Sequence, residues 1–353
     1  MKTVQAMSRP QRHGSLLAAA AALAVGMAGC GQAGAPENAA ESEISFDLSG
    51  QSVRIGTAAE QPLDIGTSYG VELLKGWGAE VQREELTSVS GLEAILAGQI
   101  DVSGRSSDEV IEANAQGVDL VAFGAGASVM HYVLIGSPDI TEVTALEGKK
   151  IAISGPSGFD TLLINAILEE QGLDPEQDVT QVPIGGSGER TAAVMAKQAD
   201  VAMVFMDNWF ALEAQGADIG LIGYVADLLP NLSSRAFAAE RSYLDENPEM
   251  ALAIACANLE ANEWINADKD AYIAYTMERV TGTTEEGIGA FYDRAMELDM
   301  FPTDPAAVLP PESFQNTADI MTKGGVIDKE VDAASFVNTS YLEEASTMGC
   351  GQG

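Results

Sequence analysis

The chain has 353 residues, with 18 Lys and Arg against 53 Asp and Glu, a formal charge of −35. Such a charge excludes nucleic acid and anionic lipid head groups as electrostatic partners, and it suits a solubilising surface outside the cell. Three cysteines (Cys30, Cys256, Cys350) and two histidines (His13, His131) without zinc-site spacing give no metal cluster, and no cofactor motif replaces one.

Residues 1–29 begin with Lys2, Arg9 and Arg12 and no acid, then run apolar from Leu16 to Ala28. The run is too short and too Ala-rich for a stable span and reads as a targeting segment. Met27-Ala28-Gly29-Cys30 resembles the lipobox of bacterial lipoproteins, which implies cleavage before Cys30 and acylation of its thiol and new amine. More than one acyl chain is needed for stable anchoring. The competing reading is an ordinary secretory signal with an incidental cysteine. Removing the segment takes the charge from −35 to −38, since three basic residues leave with it. Gly31 to Ser45 is small, polar and acidic without apolar period, so residues 30–49 read as a flexible tether.

Val53 to Thr57 is a short strand ending in a turn. A helix follows from about Leu63 to Trp77, a strand from Glu80 to Leu86, a short helix from Gly91 to Gln99 and a strand at Asp101-Val102-Ser103. A polar helix from Ser106 to Ala115 leads to the apolar strand Leu120–Phe123. From Ser128 to Ile135 the chain reads as a strand crossing into a second lobe, and Ser233 to Phe237 as the return. Between the crossings, the runs Ile151–Ile153, Val179–Ile184 and Val201–Phe205 alternate with helical patterns, the first carrying Leu163, Ile164, Ile167 and Leu168 on one face. Alternation of this kind implies βαβ units and parallel-type sheets in both lobes. Beyond Glu246 the pattern is helical, with Pro248 where a first-turn proline is tolerated and further helices at Ala271–Val280, Glu285–Leu298 and Pro311–Met321.

The stretch Leu146–Trp209 carries a family resemblance. Its Leu-x-Gly-Lys-Lys opening (Leu146–Lys150), small-residue turn before a Leu-rich helix (Ser157–Leu163), GLDPEQDV connection (Gly172–Val179) and AAVMAKQADVAM run (Ala192–Met203) resemble the substrate-binding proteins of bacterial ABC importers. The group is the one that handles nitrate, sulfonates, taurine and thiamine-pyrimidine precursors. A weaker echo lies at Gly91–Gly104. The resemblance implies a two-lobed periplasmic-binding-protein-like fold of type II, with two parallel-type sheets joined by two hinge strands. Lobe 1 would comprise residues 50–130 and 235–345, with C-terminal helices packed on it, and lobe 2 residues 131–234. It also implies a monomer that hands a small-molecule ligand to a permease and its ATPase at the outer face of the cytoplasmic membrane.

In open α/β sheets ligands bind beyond the carboxyl ends of the strands. The candidates there are Gln61 after the first strand, Arg105 and Ser106 after the third, Ser157, Gly158 and Phe159 after Ile153, and Asp207 and Trp209 after Phe205. Arg105 offers a fork for a carboxylate, sulfonate or phosphate, against the alternative of a surface ion pair. Ser157, three residues before Asp160, fits a helix N-cap, and the N–H groups of such a turn also attract anionic or polar atoms. Asp207 is either a cap or a ligand contact, and Trp209 either core or a flat wall of the cleft. Gly185–Arg190 (GGSGER) lacks the Lys-Ser/Thr of a phosphate-binding loop.

No catalytic residue is expected. His131 lies in an apolar crossing strand and not beside a nucleophile elbow, although an extracytoplasmic enzyme or a ligand sensor on the same fold is the alternative reading. Arg105 with Asp160 or Asp207 suits a zwitterion, whereas Phe159 and Trp209 suit a pyrimidine-like ring. Cys256 falls on an apolar helix face, and Cys350 in a Gly-rich tail with no core around it. Once Cys30 is acylated, these two are left either to form a disulfide or to stay separate thiols.

Overall fold

The computed structural model describes residues 44–86 and 89–352. The targeting segment, Cys30 and most of the expected tether lie outside the described residues. The first sheet is built from β1 (Ser52–Thr57), β2 (Glu80–Glu85), β3 (Val102–Ser106) and β4 (Leu120–Gly124), with α1 (Ile65–Gly76), α2 (Gly91–Leu96) and α3 (Ser107–Ala115) between them. The second holds β5 (Tyr132–Gly136), β6 (Lys150–Ile153), β7 (Thr180–Pro183), β8 (Val201–Phe205) and β9 (Gly220–Tyr224), with α4 (Phe159–Glu170), α5 (Ser187–Met195), α6 (Met206–Ala214) and α7 (Val225–Leu228). β10 (Arg235–Glu240) returns to the first sheet. After it come α8 (Arg241–Glu246), α9 (Pro248–Ala267), α10 (Lys269–Arg279), α11 (Glu285–Glu297), α12 (Pro305–Val308), α13 (Pro311–Lys323) and α14 (Ser340–Thr347).

The two sheets repeat one strand order, β2-β1-β3-β10-β4 and β7-β6-β8-β5-β9. β1 pairs in parallel with β2 and β3, and β6 with β7 and β8. Both sheets are nevertheless mixed. β10 runs antiparallel to β3 and β4, and β5 antiparallel to β8 and β9. A strand that begins at the junction of the lobes must run away from it, whereas strands of βα units run toward it. The carboxyl ends of β1, β3, β4, β6, β8 and β9 and the amino ends of β5 and β10 therefore meet at one seam.

Sequence pattern explains the central strands. β4 (LVAFG) is buried along its whole length and β8 (VAMVF) along nearly all of it, as strands covered on both faces require. On α4, Leu163, Ile164, Ile167 and Leu168 bury together against Ile151, Ile153, Val201 and Met203.

The C-terminal helices do more than cover the first lobe. α9 packs on α1, and α14 on α9. However, α11 packs on α6 and α13 on α4, both in the second lobe. Small residues make these approaches close. A Cβ on Gly287 of α11 would lie 3.1 Å from the Phe210 carbonyl, and one on Gly324 would lie 2.0 Å from Leu162 Cδ1. Lys323 and Glu169 add an exposed ion pair at the second contact.

Cys256 of α9 and Cys350 are joined by a disulfide, with Cα atoms 5.3 Å apart. The expectation that Cys350 lies in a tail without core is corrected: it is 0% exposed, beside Leu342 and Ala345 of α14. Gly351 then turns tightly over Leu259 at φ +70°, where an added Cβ would lie 2.9 Å from Leu259 Cβ, and donates its N–H to Glu260 Oε1 at 2.8 Å. Closing so long a loop restricts the unfolded chain, so Cys350→Ala should cost about 2–4 kcal/mol. Urea unfolding checks this, and an unchanged midpoint would contradict it.

Candidate functional site

Each lobe sends polar residues to the seam. Beyond β1, Gln61 precedes a single 3-10 turn, Pro62–Asp64, and donates from Nε2 to Asp64 Oδ2 at 2.8 Å. Glu60 accepts from Ser68 Oγ at 2.6 Å and pairs with Arg83 at 2.9 Å. Beyond β3, Ser106 occupies the N-cap position of α3 and hydrogen-bonds through its hydroxyl to the Asp108 carboxylate. Burial raises the pKa of Asp108, with Arg235 opposing the shift.

In the second lobe, the turn after β6 wraps around Asp160, which accepts from Ser154 N–H at 3.0 Å and from the Ser154 hydroxyl. Arg190 lies 3.6 Å from Asp160 and donates to the carbonyls of Met203 at 2.9 Å and Gly185 at 2.6 Å. This buried pair fixes the glycine-rich turn before α5 against β8. Asp207 sits in the first turn of α6, with its pKa pushed up to about 6 by burial first and then by Asp64, while Arg235 pulls it down.

The two crossings lie between these groups. His131 Nδ1 and Ser234 Oγ are 2.8 Å apart, joining the segment that leads into β5 to the segment that leads into β10. The His131 carbonyl accepts from Met206 N–H at 2.8 Å, which ties the crossing to the start of α6. Its ring stacks on Tyr132 and Phe205 at 4.9 and 5.0 Å. Burial and nearby Arg235 depress its pKa and hold the imidazole neutral. Arg235 Nε is 3.4 Å from Asp64 Oδ1, close enough for attraction but outside hydrogen-bond geometry. His131 is 3% and Arg235 7% exposed, and among the described residues His131 Nε2 and Arg235 Nε have no hydrogen-bond partner. Buried donors left in that state are costly.

Of the residues singled out from sequence, Gln61 and Asp207 fall in this cluster, Gln61 through Asp64 and Asp207 directly. Ser106 stands at its edge, beside Asp108. Arg105 is engaged elsewhere, donating to Glu109 Oε1 at 3.2 Å and to the Leu86 carbonyl at 2.8 Å. The cap expected at Ser157 is corrected: Ser157 is exposed and Gly158 is the N-cap. A Cβ on Gly158 would lie 1.9 Å from Ser154 Oγ, so glycine leaves room for the Ser154–Asp160 contact. Phe159 is half-buried and packs against apolar clusters of both lobes. Trp209, read as either core or cleft wall, is 6% exposed in a cluster with Leu63, Ile65, Ile288 and Phe291, which makes it a packing residue. Asp64, Asp108, His131, Ser234 and Arg235 were not singled out as site residues. The available signal was a histidine and an arginine in the two otherwise apolar or small-residue crossings.

The NMT1/THI5-like family model matches residues 78–271, more than half of the chain, and the chain belongs to that family. No curated protein matches it by sequence. Among solved structures, the chain is similar to the periplasmic aliphatic sulphonate-binding protein SsuA from Escherichia coli, at 21% identity and a TM-score of 0.66, over 82% of this chain and 92% of that one. The alkanesulfonate-binding SsuA from Xanthomonas axonopodis pv. citri, bound to MOPS, gives 21% and 0.63 over 82% and 99%. The periplasmic nitrate-binding protein NrtA from Synechocystis PCC 6803 gives 15% and 0.66 over 84% and 89%. These likenesses establish the periplasmic-binding-protein fold. Among the described residues, no helix is long and apolar enough to cross a membrane.

Trp209→Ala should lower the stability of the ligand-free protein by about 3–5 kcal/mol, because it opens a cavity between α6 and α11. Chemical denaturation measures this, and a loss below about 1 kcal/mol would return Trp209 to the surface of the seam.

Proposed function

We propose that the protein is the solute-binding component of an ABC importer, held at the outer face of the cytoplasmic membrane by lipid on Cys30. It captures a small polar organic molecule between its lobes, sulfonate- or taurine-like or pyrimidine-like, and delivers it to a permease and its ATPase. The observation that carries this reading is the convergence of side chains from both lobes and both crossings on one seam, where two buried nitrogens lack partners among the described residues. A solute spanning Asp64 and Asp207 would touch both lobes at once and bias a hinge motion about the crossings. The family and the fold support the same reading by analogy.

Two experiments test it. In a melting-temperature screen of sulfonates, amino acids, pyrimidines and a fractionated cell extract, one solute should stabilise the protein by about 2.7 kcal/mol at 100 times its Kd and be recovered unchanged. Recovery of a chemically altered product would replace the binding role with an enzymatic one. For the anchor, Cys30→Ser should abolish fatty-acid labelling and release the protein from membranes. Retained labelling would refute acylation at Cys30.

A further inference from the structure

The charges at the seam do not balance. Asp64, Asp108 and Asp207 bring three carboxylates within electrostatic reach of Arg235. The neighbouring arginines are committed: Arg105 to Glu109, Arg190 to Asp160 and Arg83 to Glu60. His131 is neutral. Asp64 is buried and Asp108 and Asp207 are half-buried, and an excess of negative charge at such a place is costly unless a cation offsets it. At the same place, among the described residues, Arg235 Nε is a buried donor without an acceptor, and His131 Nε2 is a buried nitrogen without a partner. When Ser234 Oγ donates to Nδ1, Nε2 carries the proton and donates. In the other tautomer it accepts. The whole chain adds a field of the same sign, with a formal charge of −35 that draws cations and repels small anions.

We propose that the seam binds a solute carrying a protonated nitrogen beside a hydrogen-bond acceptor, the nitrogen among Asp64, Asp108 and Asp207 and the acceptor against Arg235 Nε, with His131 Nε2 serving either half. The proposal rests on the seam being the solute site. It excludes simple anions such as nitrate or an unsubstituted sulfonate. It also makes capture pH-dependent. Asp207, faced by Asp64 from the 3-10 turn, Arg235 from β10 and Tyr272 from α10, has a pKa of about 6 before binding and must be ionised to hold the cation. Affinity therefore falls as pH drops through that value, by roughly tenfold between pH 7.5 and pH 5. Asp207 acts oppositely on the ligand-free fold. Its raised pKa favours the folded state at low pH, and that contribution is lost as pH rises through about 6.

Matched probes test the proposal by calorimetry and melting temperature: taurine against ethanesulfonate, and β-alanine against propionate, with nitrate as a further anion. The amino member of at least one pair should bind at pH 7.5 and its partner should not, with the tenfold loss at pH 5. Asp207→Asn should weaken that binding at least tenfold and flatten its pH dependence, while the ligand-free melting temperature at pH 7.5 stays equal or rises. His131→Phe, which keeps the ring stack, should weaken binding without altering the pH profile. Tight binding of ethanesulfonate or nitrate, or unchanged affinity in Asp207→Asn, overturns the proposal and leaves the solute-binding role intact. Silence of all five probes also overturns it. If the wider screen responds, the binding role stands, and if nothing responds both fall.

Discussion

The positive charge of Arg235 partly offsets carboxylates that meet at one seam from two lobes, the buried Asp64 and the half-buried Asp108 and Asp207. Removing such charges from water costs several kcal/mol each unless an opposite charge offsets the loss. Backbone pairing holds Arg235 in place: its N–H donates to the Ala127 carbonyl at 3.0 Å, and β10 sets it opposite Ser106 of β3. Among the described residues, the one cation facing these carboxylates is thus also the first residue of a crossing strand.

The return crossing is bolted to its surroundings. Ser233 Oγ donates to Ser107 Oγ at 2.8 Å and lies 3.0 Å from Thr317 Oγ1, while the Ser107 N–H donates to the Ser234 carbonyl at 2.9 Å. These contacts tie the start of β10 to α3 of the first lobe and to α13. With α13 also on α4, and α11 on α6, the C-terminal helices grip the second lobe on two flanks. Leu162 in one apolar cluster and Trp209 with Phe210 in another carry that grip. The C-terminal helices therefore touch both lobes and not the first alone.

Strong periodicity made the framework legible. The apolar runs of β4, β6 and β8 and the one-sided face of α4 are local signals, and they fell where the pattern placed them. The antiparallel course of β5 and β10 was not legible, because direction within a sheet follows from where a strand enters and not from its composition. The site was readable only in part. Gln61 and Asp207 follow strands of βα units, where a ligand rule applies. His131 immediately precedes, and Arg235 begins, a strand that runs the other way, so a rule about carboxyl ends passed over them. Trp209 shows the opposite failure: its place after a strand suggested a wall, but α11 covers it from 79 residues further along the chain, near Ile288. The cap at Ser157 failed for a reason one residue wide, since Gly158 is the residue that clears Ser154.

The central claim is that one solute engages both lobes at the seam. Hydrogen–deuterium exchange with and without a bound solute tests it most directly. Backbone amides near Asp64, Met206 and Arg235 should gain protection together, in the first lobe, the second lobe and the crossing. Protection confined to one lobe, or to the acidic groove between α10 and α11 lined by Lys269, Glu285 and Asp293, would contradict the account.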